Sequence, residues 1–220
     1  MARQLLREET DGFSFSILPS DLQKKIRWRP RNNLVIFVVD ASESMGDGTF
    51  SRMAAAKGAV LAILSRAYQK RDRIGLVTFG GETAQIVLRP TNSMTLARDR
   101  LQRLPTGGAT PFSDGLMKAW QLVKSERIKN SDIHPLLVVI SDGEANVPLH
   151  AGENVMNELL LICGKIQKNN IFSVVIDTQR LARSRTGMRC IAASLGGNYY
   201  HIDDLKAYKL IDVIRREKKD

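Results

Sequence analysis

Three short segments carry carboxylates and hydroxyls at spacings that suit a hard cation. Asp40-Ala41-Ser42-Glu43-Ser44 follows the apolar run Leu34 to Val39, and Ser141-Asp142-Gly143 follows a second run, Leu136 to Ile140. Between them lies Thr106-Gly107-Gly108-Ala109-Thr110-Pro111, a glycine-bearing loop able to bring the Thr110 hydroxyl to both strand ends. Asp40, Ser42, Ser44, Thr110 and Asp142 make an all-oxygen set, which suits Mg2+, with Mn2+ able to substitute, and not a thiolate-seeking metal. Only two of these five groups are charged, so a cation held there keeps charge to offer an outside carboxylate. The chemistry is that of a docking point for an acidic side chain of a partner protein.

Such a site needs elements that bring distant residues to one edge. Leu34 to Asp40 reads as a buried strand, and Ser51 to Gln69 as a helix with Met53, Ala56, Val60, Ile63, Leu64 and Ala67 on one side. Arg73 to Phe79 is the next strand, and the Gly80-Gly81-Glu82-Thr83 turn joins it to a short antiparallel edge strand, Gln85 to Leu88. Helices are expected at Met94 to Arg103, Phe112 to Glu126 and Gly152 to Gln167, with strands at Leu136 to Ile140, Ile171 to Ile176 and Asn198 to His201. Asp203 or Asp204 could cap a last helix through Ile214. Strands apolar on both faces that alternate with helices predict an α/β, doubly wound, mostly parallel six-stranded sheet, with one antiparallel edge strand and helices on both faces. Ligands of such sheets bind at the carboxyl ends of the strands where strand order reverses, which is where Asp40 and Asp142 are expected. The domain spans residues 34–214, preceded by an arm or linker over 1–33 and followed by a basic tail over 215–220.

The composition of this 220-residue chain, 43% hydrophobic and 25% charged, is that of a globular domain. Leu34 to Val39 is the longest wholly apolar run, about a third of the ~20 residues a membrane helix needs, and no signal peptide is visible. Cys163 and Cys190 have no metal-ligand or CxxC spacing and read as reduced thiols, so a cytoplasmic protein is expected. The net charge of +10 falls in clusters: Lys24, Lys25, Arg27, Arg29 and Arg31; Arg180, Arg183, Arg185 and Arg189; and Arg215, Arg216, Lys218 and Lys219. No aromatic platform or known nucleic-acid motif is interleaved with them, although Trp28 sits inside the first, so contact with an acidic protein segment or plain solvation is expected, with Arg183 and Arg185 as candidate contacts.

Asp-x-Ser-x-Ser after a buried strand, Thr110 in its glycine loop, and Ser-Asp-Gly after another strand together resemble the metal-ion-dependent adhesion site of von Willebrand factor A and integrin I domains. Within that family the chain is most similar to the A-type domain of the D subunit of magnesium chelatase and of related cobalt chelatase subunits. The stretches that carry the similarity are Leu34 to Ser42, Ala54 to Val60, Arg71 to Phe79, Leu104 to Pro111 and Ser141 to Asn146. The resemblance implies that Ser42 and Ser44 coordinate the metal, that Thr110 does so directly or through water, and that Asp40 and Asp142 hold coordinating waters or bind directly. It also implies a non-catalytic role beside an AAA+ ATPase chelatase subunit, with no membrane contact. The chain holds no Gly-x-x-x-x-Gly-Lys-Ser/Thr loop, so it corresponds either to a fragment of such a subunit or to a free-standing relative.

Blander readings exist for each group. Asp40, Ser42 and Ser44 could serve only as a turn and cap cluster. Glu43 alternates with the serines, Asp47 sits between glycines, and Asp177 is read as a helix cap, so none of the three joins the candidate set. His134, His150 and His201 lack ligand spacing. A general A-type interaction module with another partner is the alternative function, and a metal-dependent hydrolase a third, which would need a base or nucleophile near Thr110.

Overall fold

The protein is described by a computed structural model that covers residues 33–46, 52–69, 72–179 and 186–204. Its organising element is β1 (Asn33–Asp40), buried along its whole length. Its side chains divide by period two: Leu34, Ile36 and Val38 enter one apolar layer, and Val35, Phe37 and Val39 the other. A strand buried on both faces needs strands on both sides as well, because its backbone polar groups cannot reach water. β2 (Arg73–Gly80) and β4 (His134–Ser141) supply them, both parallel to β1.

β3 (Thr83–Thr91) pairs antiparallel with β2, and β5 (Phe172–Asp177) and β6 (Asn198–His201) extend the sheet beyond β4 in parallel. The order is β3-β2-β1-β4-β5-β6. From β1 the chain moves outward to β3, then returns to the other side of β1 and moves outward again. Strand order therefore reverses between β1 and β4, whose carboxyl ends carry Asp40 and Ser141-Asp142.

Helices cover both faces. On one, α4 (Phe112–Lys129), α5 (Val155–Lys168) and α6 (Thr186–Ser194) bury Leu116, Ala119, Ile162, Ile166 and Ile191 against Ile36 and Val38. On the other, α2 (Arg52–Gln69) and α3 (Met94–Gln102) bury Met53, Val60, Leu64, Ala97 and Leu101 against Phe37 and Val39. α1 (Glu43–Gly46) is a single turn just beyond β1. No helix among the described residues is long and apolar enough to cross a membrane.

The expected fold class and succession of strands along the chain are those observed, with shifted ends. β3 continues to Thr91 through Pro90, which an edge strand tolerates because the missing N–H removes no bond from a central ladder. α5 begins at Val155 and not near Gly152, since the Asn154 side chain accepts from the Met156 and Asn157 N–H groups at 3.1 Å each and sets the cap there. A 3-10 turn occupies Ile202–Asp204, and the expected last helix beyond it lies outside the described residues. Cys163 is buried in α5, where burial pushes its thiol up to about 12 and keeps it unreactive at neutral pH.

α4 crosses β2 closely because Gly115 has no side chain: a Cβ there would sit 2.7 Å from Phe79 Cδ1. That ring is fully buried and stacked on Phe112 at 4.7 Å, so it has no room to move aside. Gly115→Ala should therefore lower the urea midpoint, because an overpacking cost of about 1–3 kcal/mol exceeds the ~1 kcal/mol of helix propensity gained. An unchanged or raised midpoint would show that the Phe79-Phe112 stack yields.

Candidate metal centre

β1 ends at a carboxylate with no exposure. Asp40 Oδ1 accepts from the Ser42 amide at 2.9 Å and the Ser42 hydroxyl at 2.6 Å, while Oδ2 accepts from the Ser141 hydroxyl at 2.6 Å. Ser141 is the last residue of β4, so the neighbouring strand supplies this third bond. The Ser42 and Ser44 hydroxyls are 3.2 Å apart, and Ser44 donates to Asp142 Oδ2 at 2.6 Å. Four of the five predicted groups thus form one continuous chain of side-chain oxygens across the switch point, from Asp40 through Ser42 and Ser44 to Asp142.

Thr110 reaches the same end through its backbone. Its amide donates to Asn146 Oδ1 at 2.7 Å, and its carbonyl accepts from the Asn146 amide at 3.3 Å. The residue is buried, but its hydroxyl is not part of the oxygen chain. The loop before it is strapped to the end of β1: Gly107 N–H donates to Ala41 O at 2.9 Å, and Glu43 N–H to Gly108 O at 3.1 Å. Gly108 is required there, since its φ is +76° and a Cβ would fall 2.6 Å from Gly81 Cα.

Two neighbours of the site escaped the sequence reading as functional positions. Ser141 holds Asp40, and Asn146 clamps Thr110; the signal available was only that both are small polar residues flanking Asp142. Farther along the same loop Glu158, buried in α5, accepts from the Leu149 and His150 amides at 2.6 and 3.0 Å and faces the His150 ring at 2.6 Å. Burial alone would raise the Glu158 pKa, but the Leu149 amide and the His150 bonds outweigh it and hold it below 4.5.

The remaining candidates lie elsewhere. Asp177 accepts from the Gln179 amide and the Tyr199 hydroxyl, both at 2.8 Å, so it ties β5 to β6 and shapes a turn, a role distinct from the expected helix cap. His134 stands at the opposite end of β4, His150 is bound to Glu158, and His201 is buried against the Gln179 carbonyl. Arg183, Arg185, Asp47 and the Lys24 to Arg31 cluster lie outside the described residues. Arg189 is described, with its guanidinium 4.6 Å over the Tyr199 ring.

The donor set fits a hard divalent ion. The side-chain oxygens of Asp40, Ser42, Ser44 and Asp142 lie 2.6 to 3.2 Å from their neighbours, at hydrogen-bonding distances, so what fits the ion is the all-oxygen chemistry of the set. No group of three or more His, Cys, Asp or Glu occurs among the described residues that could hold a metal, so an ion held here would draw on neutral oxygens besides the two carboxylates.

Against this geometry the comparisons with known proteins are specific. The model of the von Willebrand factor type A domain matches residues 35–144. The chain belongs to this family. It is 36% identical over 207 residues to the magnesium-chelatase 67 kDa subunit of Chlorobaculum parvum, covering 89% of this chain and 33% of that subunit. The chain therefore spans about a third of the length of that relative. An uncharacterised protein of Methanocaldococcus jannaschii is 37% identical over 169 residues, 76% of this chain and 96% of its own. Among solved structures, the manganese-loaded Plasmodium vivax TRAP protein superposes with a TM-score of 0.63 at 16% identity, over 83% of this chain and 72% of that one.

Two predictions follow from the electrostatics. Burial raises the Asp40 pKa to about 6; the Ser141 and Ser42 hydrogen bonds oppose the rise and Asp142 adds to it. Folded metal-free protein then binds this proton more tightly than the unfolded chain, so its stability falls as pH rises from about 4 through about 6. Asp40→Asn should raise the unfolding free energy of metal-free protein at pH 7.5, read from urea titrations, by about 3 kcal/mol, and change it little at pH 4. A lowered midpoint at pH 7.5 would mean that the hydrogen bonds to the carboxylate outweigh its desolvation. Glu158 has the opposite sign: its contribution is present above pH 4.5 and disappears as pH falls through its lowered folded value. Glu158→Gln should cost about 1–3 kcal/mol at pH 7, because one loop amide is left facing an NH2 group, and the gap to wild type should narrow in acid. Parallel melting curves at the two pH values decide it.

Proposed function

We propose that this chain is a non-catalytic docking domain of a magnesium-chelatase-like assembly, in which Asp40, Ser42, Ser44, Thr110 and Asp142 hold Mg2+ and an acidic motif of an AAA+ ATPase partner binds there. The observation that carries the reading is the run of side-chain oxygens from Asp40 to Asp142, 2.6 to 3.2 Å between neighbours, at the point where strand order reverses. Similarity to a magnesium-chelatase subunit over 89% of this chain supports the choice of assembly. Bound Mg2+, or Mn2+ in its place, supplies a positive charge that an incoming carboxylate can complete.

The chain's own residues prepare the site for that ligand. Ser42 and Ser141 hold Asp40 in one orientation, and Ser44 links it to Asp142. Asn146 fixes the backbone of Thr110, while Glu158 holds the far end of the loop that starts at Asp142. Prearranged ligands bind with less entropy to lose, which favours a site used reversibly for docking. The proposal places the domain over residues 34–214, with the flanking 1–33 and 215–220 segments outside it, in the cytoplasm.

A second reading, a general A-type interaction module with a non-chelatase partner, draws on the Methanocaldococcus jannaschii relative, 96% of whose length is matched. Association with an AAA+ chelatase subunit from the same source separates the two. Wild-type protein should bind it in Mg2+, and excess chelator or Asp142→Ala should weaken binding at least about tenfold, that is, by about 1.4 kcal/mol. Melting curves of the variant establish that it is folded. Binding that ignores both Mg2+ and Asp142 would overturn the docking site; Mg2+-dependent stabilisation without any association would move the chain to the second reading.

A further inference from the structure

Beside the metal centre, on the α3 side of the sheet, a groove of about 430 Å3 runs between β3, the carboxyl end of β2 and α3. Its polar lining comes from Thr78, Thr83, Gln85 and Thr106, and its charge from Arg100 and Arg103. Arg100 is exposed and has no ion-pair partner among the described residues. Arg103 uses Nε to bind Asp99 at 2.9 Å and is still three-quarters exposed, at 76%. The acidic residues within two positions of a lining residue are Asp40, buried in its own hydrogen bonds, Glu43, Glu82 in the β2-β3 turn, and Asp99, already paired. Against them stand Arg89 on β3 and Arg98 on α3, both exposed, besides the two lining arginines. Both charged side chains in the lining itself are cationic.

The groove and the metal centre share their walls. Ala41, which lines the groove, follows Asp40 directly, and Gly107, which also lines it, precedes Thr110 by three residues. The Gly107 amide donates to Ala41 O at 2.9 Å, so the two segments meet at the groove's inner end.

We propose that this groove is a second docking subsite, which takes an extended acidic segment of the same partner whose carboxylate anchors at the metal centre. The inference rests on the metal-docking reading for the anchor and extends it to the residues that flank the anchor in the partner. The hydroxyl and amide side chains of Thr78, Thr83, Gln85 and Thr106 can hydrogen-bond an extended backbone, and the arginines suit its carboxylates. Charge of this kind raises encounter rate and selects the partner, and salt weakens it.

The test uses the full chain and a short fluorescein-labelled peptide of alternating Glu and Thr, followed by anisotropy and by amide chemical shifts. Shifts are expected at Thr78, Thr83, Gln85 and Thr106. Arg100→Glu with Arg103→Glu should weaken binding on the order of tenfold at low salt, in chelator as well as in Mg2+. The neutral pair R100Q and R103Q should weaken it less, and keeps the result readable if charge reversal beside Asp99 perturbs α3. Asp142→Ala should remove only the Mg2+-dependent part of the affinity. Arginine variants that bind like wild type, or shifts confined to residues outside the groove, would overturn the groove while leaving the metal centre standing. Loss on arginine reversal with no response to Mg2+ or to Asp142→Ala would leave the groove and overturn the metal reading. Equal displacement of the peptide by a single-stranded oligonucleotide of the same charge would show a general polyanion surface and overturn the assignment to a protein segment.

Discussion

The structure depends on one costly placement: a carboxylate with no solvent exposure at the end of a strand that is itself wholly buried. An ionised group in that position is tolerated only if every lone pair is met and an opposite charge is at hand or can bind. Ser42, two residues ahead in the chain, and Ser141, on the adjacent strand, go most of the way to the first condition with three hydrogen bonds. The Ser42 bonds are local, but the Ser141 bond depends on strand order. If β4 were not the parallel neighbour of β1, Ser141 would not reach Asp40, and Asp142 would not stand opposite Ser44. The second condition is unmet by any side chain bonded to Asp40, and its raised pKa records that deficit.

Three loops converge on this point, and their backbones are hydrogen-bonded to one another. The amides of Gly81, Gly107 and Glu43 each donate to a carbonyl in a different loop, and the close approach of Gly108 to Gly81 leaves no space for a side chain. Loops cross-linked in this way behave as one rigid platform, so the positions of Ser42, Ser44 and Thr110 are set by backbone geometry and not by side-chain rotamers alone. Such stiffness has a thermodynamic use. A site whose groups are already held in place loses little order when a ligand arrives.

Much of this was legible in the chain. β1 and β4 announce themselves as continuous apolar runs ending in Asp40 and in Ser141-Asp142, because a strand buried on both faces cannot hide among polar residues. The hairpin at Gly80-Gly81 marked the antiparallel edge for an equally local reason. The length of β3 was harder to see, since register shifts between Ile74 and Val77 break its alternation and Pro90 argues against a strand. Asn146 and Glu158 were not legible as parts of the site. Their work is done through backbone amides of residues distant in the chain, and an amide leaves no trace in the identity of the residue that carries it. Arg100 and Arg103 likewise read as ordinary helix charges until β3 is laid beside α3.

The division of labour among the five candidate groups explains why serine and not aspartate follows Asp40. A serine hydroxyl has one proton and two lone pairs. Ser42 gives its proton to Asp40, and Ser44 gives its own to Asp142, so each carboxylate fixes the direction of a hydroxyl whose lone pairs are left for an ion. The carboxylates thereby contribute negative charge from one step away while neutral oxygens stand nearest the gap. Additional carboxylates in place of Ser42 and Ser44 would satisfy a divalent ion by themselves and leave it nothing to offer a partner. On the docking proposal, hydroxyls there would leave an ion with charge for a partner, and Arg100 and Arg103 would extend the same positive field along the neighbouring groove.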